Sequence, residues 1–166
     1  MAEFDYELWR FRAEVRRDKL AEEHPKRASF QYSEDLLAIV GIQKVVSWCK
    51  KKGVQVTFTT ASNGTWFPSE KKIELNSLTL PKRQLCNLLH ECGHFLAEAK
   101  QAKRAKAEKK RDKKSNVQRV VVVEEEFDAW GEGAKLAKRL KVYIDQKLWN
   151  QHRANCLTSY FRWVMS

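Results

Sequence analysis

Apolar residues recur at helical spacing in the first third of the chain. Over residues 3–21, apolar side chains return every three or four positions, which predicts an amphipathic helix that ends before the "HPKRAS" stretch. The run "SEDLLAIVGIQKVVSWCKK" predicts a second helix, beginning at about Ser33, a suitable N-cap, and ending at the stop signal Gly53. The N-terminal region is therefore expected to be helical.

The pattern changes from helical to alternating after Gly53. The stretches "VQVTF" and "KKIELN" alternate, and the residues between them include Asn63-Gly64 and Pro68, so we predict strands joined by turns over residues 54–76. Helical spacing then returns in three segments, which are 80–100, 120–141 and 145–164. These elements predict an α+β fold with helices packed on a short β-sheet.

The composition sets the scale of the fold. A chain of 166 residues with 43% hydrophobic residues can bury one core of ordinary size, so we expect a single domain over residues 1–166. The first thirty residues have no apolar run typical of a secretory signal, and no window suits a membrane span. The four cysteines form no CxxC pair, which favours reduced thiols. We therefore expect a cytoplasmic protein without a membrane partner.

The basic charge is concentrated in one segment. The net charge is +11, and residues 100–119 alone contain ten Lys or Arg against two acidic residues. Such a segment is compatible with electrostatic binding of nucleic acid. It has no aromatic residue to stack on bases, so we favour a solvated extension, with the insert placed at 101–119, over a nucleic-acid-binding arm.

The stretch "NLLHECGHFLAEA" at residues 87–99 contains two of the four histidines. On a helix, His90 and His94 lie on one face and can bind one metal ion, while Glu91 stands beside that ion without binding it. This His-Glu-x-x-His spacing is typical of zinc peptidases, in which two imidazoles hold Zn²⁺ and the glutamate takes a proton from an activated water. The alternative is an ordinary helix with two partly buried histidines and a surface glutamate.

A catalytic zinc site usually has a third protein ligand. No further histidine occurs before His152, but the helix predicted at 120–141 carries three consecutive glutamates at 124–126. Successive helical residues differ in direction by about 100°, so the three cannot face water equally. The apolar stripe that includes Trp130 passes closer to Glu126 than to Glu124. Periodicity therefore leaves more than one glutamate as a candidate.

The strand "KKIELN", the helix "LLHECGHFL" and the later helix "EEEFDAWG" together resemble the ImmA/IrrE-like metallopeptidases, a gluzincin group. The resemblance covers residues 54–140. It implies a zincin-like core in which His90, His94 and Glu124 hold Zn²⁺ and Glu91 is the catalytic base. On this resemblance we prefer Glu124 as the third ligand. Asp128, four residues later, is then expected to support the metal ligands.

The last predicted helix offers further polar candidates. Peptide hydrolysis needs a donor that stabilises the oxyanion, and Tyr143, His152, Arg153 and Tyr160 are all possible. His152 and Cys156 are spaced i, i+4, which suits either a second metal site or packing, and we favour packing.

These observations predict a zinc-dependent metallopeptidase that cleaves a protein or peptide substrate with a metal-activated water. The resemblance implies a regulatory cleavage of a protein partner. The alternative is a basic nucleic-acid-binding protein whose zinc site is structural or catalytically inactive.

Overall fold

The computed structural model describes residues 5–61, 64–108 and 116–165 of the chain. Within these ranges it contains helices and a three-stranded sheet, which confirms the predicted α+β class. The elements in chain order are α1 (Tyr6–Ala21), α2 (Pro25–Lys51), β1 (Gln55–Thr59), β2 (Thr65–Phe67), β3 (Lys72–Asn76), α3 (Pro81–Glu108), α4 (Asn116–Arg139) and α5 (Gln146–Met165). None of the described helices combines the length and the hydropathy that a membrane span requires.

Helix α2 begins earlier than the sequence predicts. The predicted start at Ser33 is wrong, because the helix runs without interruption from Pro25, which occupies its first turn. The Ser33 hydroxyl donates to the carbonyl oxygen of Ser29 at 3.1 Å, and the Ser29 hydroxyl donates to that of Pro25 at 3.2 Å. Both serines therefore bond back along the helix instead of capping it.

Helix α1 packs against α2 as an antiparallel pair. Trp9 and Ala13 of α1 are buried with Ile39 of α2. The Arg16 guanidinium donates to the carboxylate of Asp35 at 3.1 Å, and that carboxylate is almost fully buried. A buried carboxylate needs such a partner, so this ion pair fixes how the two helices align.

The sheet has the strand order β1-β3-β2. Strand β1 pairs parallel to β3, and β2 pairs antiparallel to β3, so β2 is an edge strand. In β3, Ile73 and Leu75 are fully buried while the alternate residues are partly exposed, as the alternation of "KKIELN" predicts. Ile73 and Leu75 belong to the main core together with residues of α2 and α3, so one face of the sheet lies against the helices.

Helices α3 and α4 form the most extensive helix pair. Their backbones approach closely at two glycines. A Cβ atom on Gly93 would overlap the carbonyl oxygen of Ala129, and a Cβ atom on Gly133 would overlap that of Leu89. Each helix therefore places a glycine against the backbone of the other, and no larger residue fits this crossing.

Helix α5 packs against α4 beside the crossing of α3 and α4. Asp145 caps it by accepting a hydrogen bond from the Leu148 amide at 3.0 Å. The Trp149 ring packs edge-on against Trp130 of α4, with 4.7 Å between the ring centroids. Near the other end, the Arg119 guanidinium donates to the carbonyl oxygen of Trp163 at 3.1 Å. These contacts hold one face of α5 towards α4 and α3.

The predicted basic insert at 101–119 lies partly outside the described residues. The structure continues α3 to Glu108 and begins α4 at Asn116. Residues 109–115 are outside the described ranges, so the expectation of a solvated extension stays a prediction.

The close crossing generates a stability prediction. Gly93→Ala should lower the free energy of unfolding by about 1–3 kcal/mol or more, because the new methyl group must push two backbones apart. Gly131→Ala is the matched control, since a Cβ atom at that helical position meets nothing within 4 Å. It should be neutral or stabilising by roughly 0.5–1 kcal/mol. Urea unfolding of the metal-free proteins measures both, and equal stability of the two variants would contradict the crossing.

Candidate metal centre

The two histidines of α3 lie side by side, as their four-residue spacing predicts. The Nε2 atoms of His90 and His94 are 3.2 Å apart, and their ring centroids are separated by 4.6 Å. The His90 ring also stacks on Trp130 of α4, with 4.4 Å between centroids and an interplanar angle of 24°. Packing therefore fixes the first imidazole in one orientation.

The acid that meets the histidines is Glu126, not Glu124. One carboxylate oxygen of Glu126 lies 3.3 Å from the Nε2 atom of His90, and the other lies 3.5 Å from that of His94. Glu126 is 6% exposed, whereas Glu124 is exposed. Residues two positions apart in a helix differ in direction by about 200°, so the side chains of Glu124 and Glu126 leave α4 on opposite sides. The expected placement of Glu124 beside the histidines is wrong.

The packing of α4 explains this register. Ala129, Trp130 and Gly133 are buried, and Ala129 and Gly133 lie against α3. Glu126 is three and four residues before Ala129 and Trp130, so it belongs to the same face. The sequence contained this signal in the apolar stripe, which favoured Glu126, whereas the resemblance favoured Glu124.

Asp128 is predicted to support the metal ligands, and the structure gives no hydrogen bond to it from His90. It differs in direction from Glu126 by about 200°, because it is two residues further along α4. The buried Nδ1 atom of His90 has no hydrogen-bond partner among the described residues, so Asp128 does not accept a hydrogen bond from it. The orientation of α4 against α3 explains the position of Asp128 as it explains that of Glu124.

Glu91 lies beside the edge of the sheet. Its side chain is 7% exposed, and the backbone N–H of Trp66 in β2 donates a hydrogen bond to it. Gly64, just before β2, has a φ of +107°, and its missing Cβ would lie 3.6 Å from a carboxylate oxygen of Glu91. Burial raises the pKa of Glu91, and the nearby charge of Glu126 adds to this effect, although His90 and the Trp66 N–H oppose it.

The other ionisable groups of the site have different pKa shifts. Burial, followed by the adjacent His90, lowers the pKa of His94 to about 4, so its ring is neutral near pH 7. Burial favours the protonated form of Glu126 as well. The hydrogen bond with His90 and the charges of both histidines outweigh that effect, and the pKa of Glu126 is lowered. The His94 imidazole is therefore neutral and the Glu126 carboxylate ionised near pH 7, the forms that bind metal ions.

Helix α5 contributes a third side to the site. Tyr160 makes a hydrogen bond with Glu126, and burial followed by the Glu126 charge raises the pKa of Tyr160. The thiol of Cys156 donates to a carboxylate oxygen of Glu126 at 3.4 Å. His152 lines the same cavity. These three residues follow each other at i, i+4 and i+8, so they form one stripe on α5.

The cavity has a volume of about 820 Å³. It is bounded by β2, α3, α4 and α5, and its lining includes Gly64, Thr65, Trp66, His90, Glu91, His94, Glu126, His152, Cys156 and Tyr160. The other two predicted oxyanion donors are not part of that lining. Tyr143 lines a different, smaller pocket, and the guanidinium of Arg153 lies over the Phe127 ring.

The donor atoms fit a metal ion. Two ligands held at about 2.0–2.1 Å in tetrahedral geometry lie about 3.3–3.4 Å apart. The Nε2 atoms of His90 and His94 are 3.2 Å apart, one Glu126 oxygen lies 3.3 Å from that of His90, and the other Glu126 oxygen lies 3.5 Å from that of His94. His90, Glu126 and Cys156 also present ligand atoms that all lie within 4.8 Å of one another, so this group can hold a metal ion.

The remaining cysteines lie apart from this group. The sulfur atoms of Cys49 and Cys92 are 3.4 Å apart in the core. Cys86 is buried beside the smaller pocket that contains Tyr143. Cys156 therefore differs from the other three in lying beside His90 and Glu126. It joins the same site and does not form a separate one with His152.

Comparison with known proteins gives no family for the chain. No protein-family model matches the sequence, and no curated protein or solved structure is significantly similar to it. The function must therefore be argued from the geometry of the site.

Proposed function

We propose that the protein is a zinc-dependent peptidase. The observation that carries the proposal is the convergence of two imidazoles and one carboxylate at tetrahedral separations, with a second buried carboxylate beside them in an open cavity. Two histidines and one glutamate are the ligand set of one class of catalytic zinc sites. The resemblance to ImmA/IrrE-like metallopeptidases supports the same activity.

The metal ligands in this proposal are His90, His94 and Glu126. All three side chains are largely buried and are held by the crossing of α3 and α4. Zinc bound there would supply Lewis-acid chemistry, lowering the pKa of a water molecule and polarising the carbonyl group of the substrate. Nitrogen and carboxylate ligands suit this ion, and the neutral state of His94 favours its binding.

Glu91 is the general base of the proposed reaction. It follows His90 in the sequence, so it leaves α3 in a direction different from both imidazoles and lines the cavity. Its raised pKa makes its carboxylate a stronger base, which can take a proton from the attacking water and return it to the leaving amine. The Trp66 N–H fixes the carboxylate, which reduces the reorganisation needed during the reaction.

Tyr160 is the proposed donor to the oxyanion. Its hydroxyl makes a hydrogen bond with the proposed ligand Glu126, and the raised pKa of Tyr160 keeps the hydroxyl protonated near neutral pH. A protonated phenol can donate a hydrogen bond to the oxygen on which charge develops. His152 lines the same cavity and is the second donor available on α5.

An extended peptide or protein segment is the proposed substrate. Strand β2 is an edge strand of the described sheet and lines the cavity next to Glu91, so an extended chain can lie alongside it. Main-chain pairing of this kind would place a peptide bond across the cavity.

The first functional prediction concerns the ligand set. The protein should bind about one Zn²⁺ per chain. Glu126→Ala should weaken zinc binding by at least about 100-fold, because it removes the only carboxylate among the three proposed ligands. Glu124→Ala is the matched control, as it removes the same group two residues away on the exposed side. Competition with a chromophoric chelator measures both affinities. A larger loss of zinc affinity in Glu124→Ala than in Glu126→Ala would show that Glu124 is the third ligand.

The second prediction separates metal binding from catalysis. Glu91→Gln should retain zinc and lose hydrolysis by about 10²–10⁴-fold, since the amide cannot accept the proton. Glu98→Gln, an exposed position on the same helix, is the control. Incubation with a cell extract, followed by identification of new peptide termini, reveals the substrates. Equal cleavage by Glu91→Gln and the parent, at equal zinc content, would exclude the proposed base.

The third prediction tests the oxyanion donor on a substrate found in that way. Tyr160→Phe should lower kcat by about 10²–10³-fold with little change in KM, because the hydroxyl acts in the transition state. Tyr143→Phe removes an exposed hydroxyl outside the cavity and should have no effect. A Tyr160→Phe protein with unchanged kcat would leave His152 as the donor to test.

A further inference from the structure

A cysteine faces the proposed metal centre from α5. The Sγ atom of Cys156 lies 3.4 Å from the same oxygen of Glu126 that lies 3.3 Å from the Nε2 atom of His90. Nitrogen, oxygen and sulfur therefore converge on one point, with all three atoms within 4.8 Å of one another.

The sulfur position fits a fourth ligand of the same ion. A thiolate at about 2.3 Å from zinc and a carboxylate oxygen at about 2.0 Å from it lie about 3.5 Å apart in tetrahedral geometry. The observed separation of 3.4 Å agrees with that value. Cys156 also packs against the main core, but its sulfur contacts a carboxylate, whereas Cys49 and Cys92 are fully buried within that core.

We propose that Cys156 is a fourth protein ligand, which closes the metal centre in the resting protein. The inference rests on the proposed metal site of His90, His94 and Glu126. The Cys156 thiol loses its proton to solvent as its sulfur binds the metal, and no oxidant or reductant takes part. Rotation of the Cys156 side chain away from Glu126 would free one position for water. The thiol then controls access to the site.

Cobalt(II) provides the direct test, because its absorption spectrum reports the ligands. The metal-free protein, reduced with a phosphine, is titrated with Co²⁺ alone. Visible d–d bands show that the ion is bound, and a sulfur-to-cobalt charge-transfer band in the near ultraviolet shows a thiolate ligand. We expect both in the parent protein, and Cys156→Ser should lose the charge-transfer band while retaining visible bands.

Two controls make the result specific. Cys86→Ala removes a thiol beside the smaller pocket and should retain the charge-transfer band. Glu126→Ala should lose or strongly weaken the visible bands. Visible bands without a charge-transfer band in the parent would overturn the role of Cys156 and leave the metal site intact. Absence of all bands, together with no zinc binding, would overturn both proposals.

A second measurement needs no variant. Alkylation of Cys156 by iodoacetamide, followed by peptide mass spectrometry, should be at least about tenfold slower in the zinc-loaded protein than in the metal-free protein, because a bound thiolate is not free to react. The zinc affinity of Cys156→Ser should also fall by at least about tenfold. Alkylation at the same rate with and without zinc would overturn the proposal even if the variant failed to fold.

Discussion

The close approach of α3 and α4 is the constraint on which the site depends. Gly93 and Gly133 each lie against a backbone carbonyl of the opposite helix, so the two helices cross nearer to each other than side chains would permit. At this separation a glutamate on α4 reaches both histidines of α3 with its two oxygens. Gly93 also lies between the histidines in the sequence, so one residue links the motif to the crossing.

The local part of the site was predictable from the sequence, and the part made by packing was not. The spacing of His90 and His94 places both imidazoles on one face through helical geometry alone, and the structure has them there. The choice between Glu124 and Glu126 depends on which side of α4 meets α3. That side is set by Ala129, Trp130 and Gly133, which lie later in the helix. A short motif does not indicate which side of α4 meets α3, whereas the apolar stripe along the helix does.

The same distinction explains the errors in the fold. Ser33 has the chemistry of an N-cap, but the absence of a helix breaker between Pro25 and Ser33 allows the helix to continue through it. Strand β2 is three residues long, too short for alternation to be recognised, and it pairs with β3. Parallel pairing of β1 with β3 is likewise a tertiary property. Hydrophobic periodicity contains no information on strand order.

Two buried glutamates of the site have opposite pKa shifts, and their neighbours explain the difference. Glu91 and Glu126 are both largely buried, and burial alone would raise the pKa of each. Glu126 meets two imidazoles and its pKa is lowered, whereas burial and the charge of Glu126 outweigh His90 and the Trp66 N–H at Glu91, and its pKa is raised. The partners therefore outweigh burial at Glu126 but not at Glu91. A carboxylate that stays ionised suits a metal ligand, and one with a raised pKa suits proton transfer, which are the roles proposed for them.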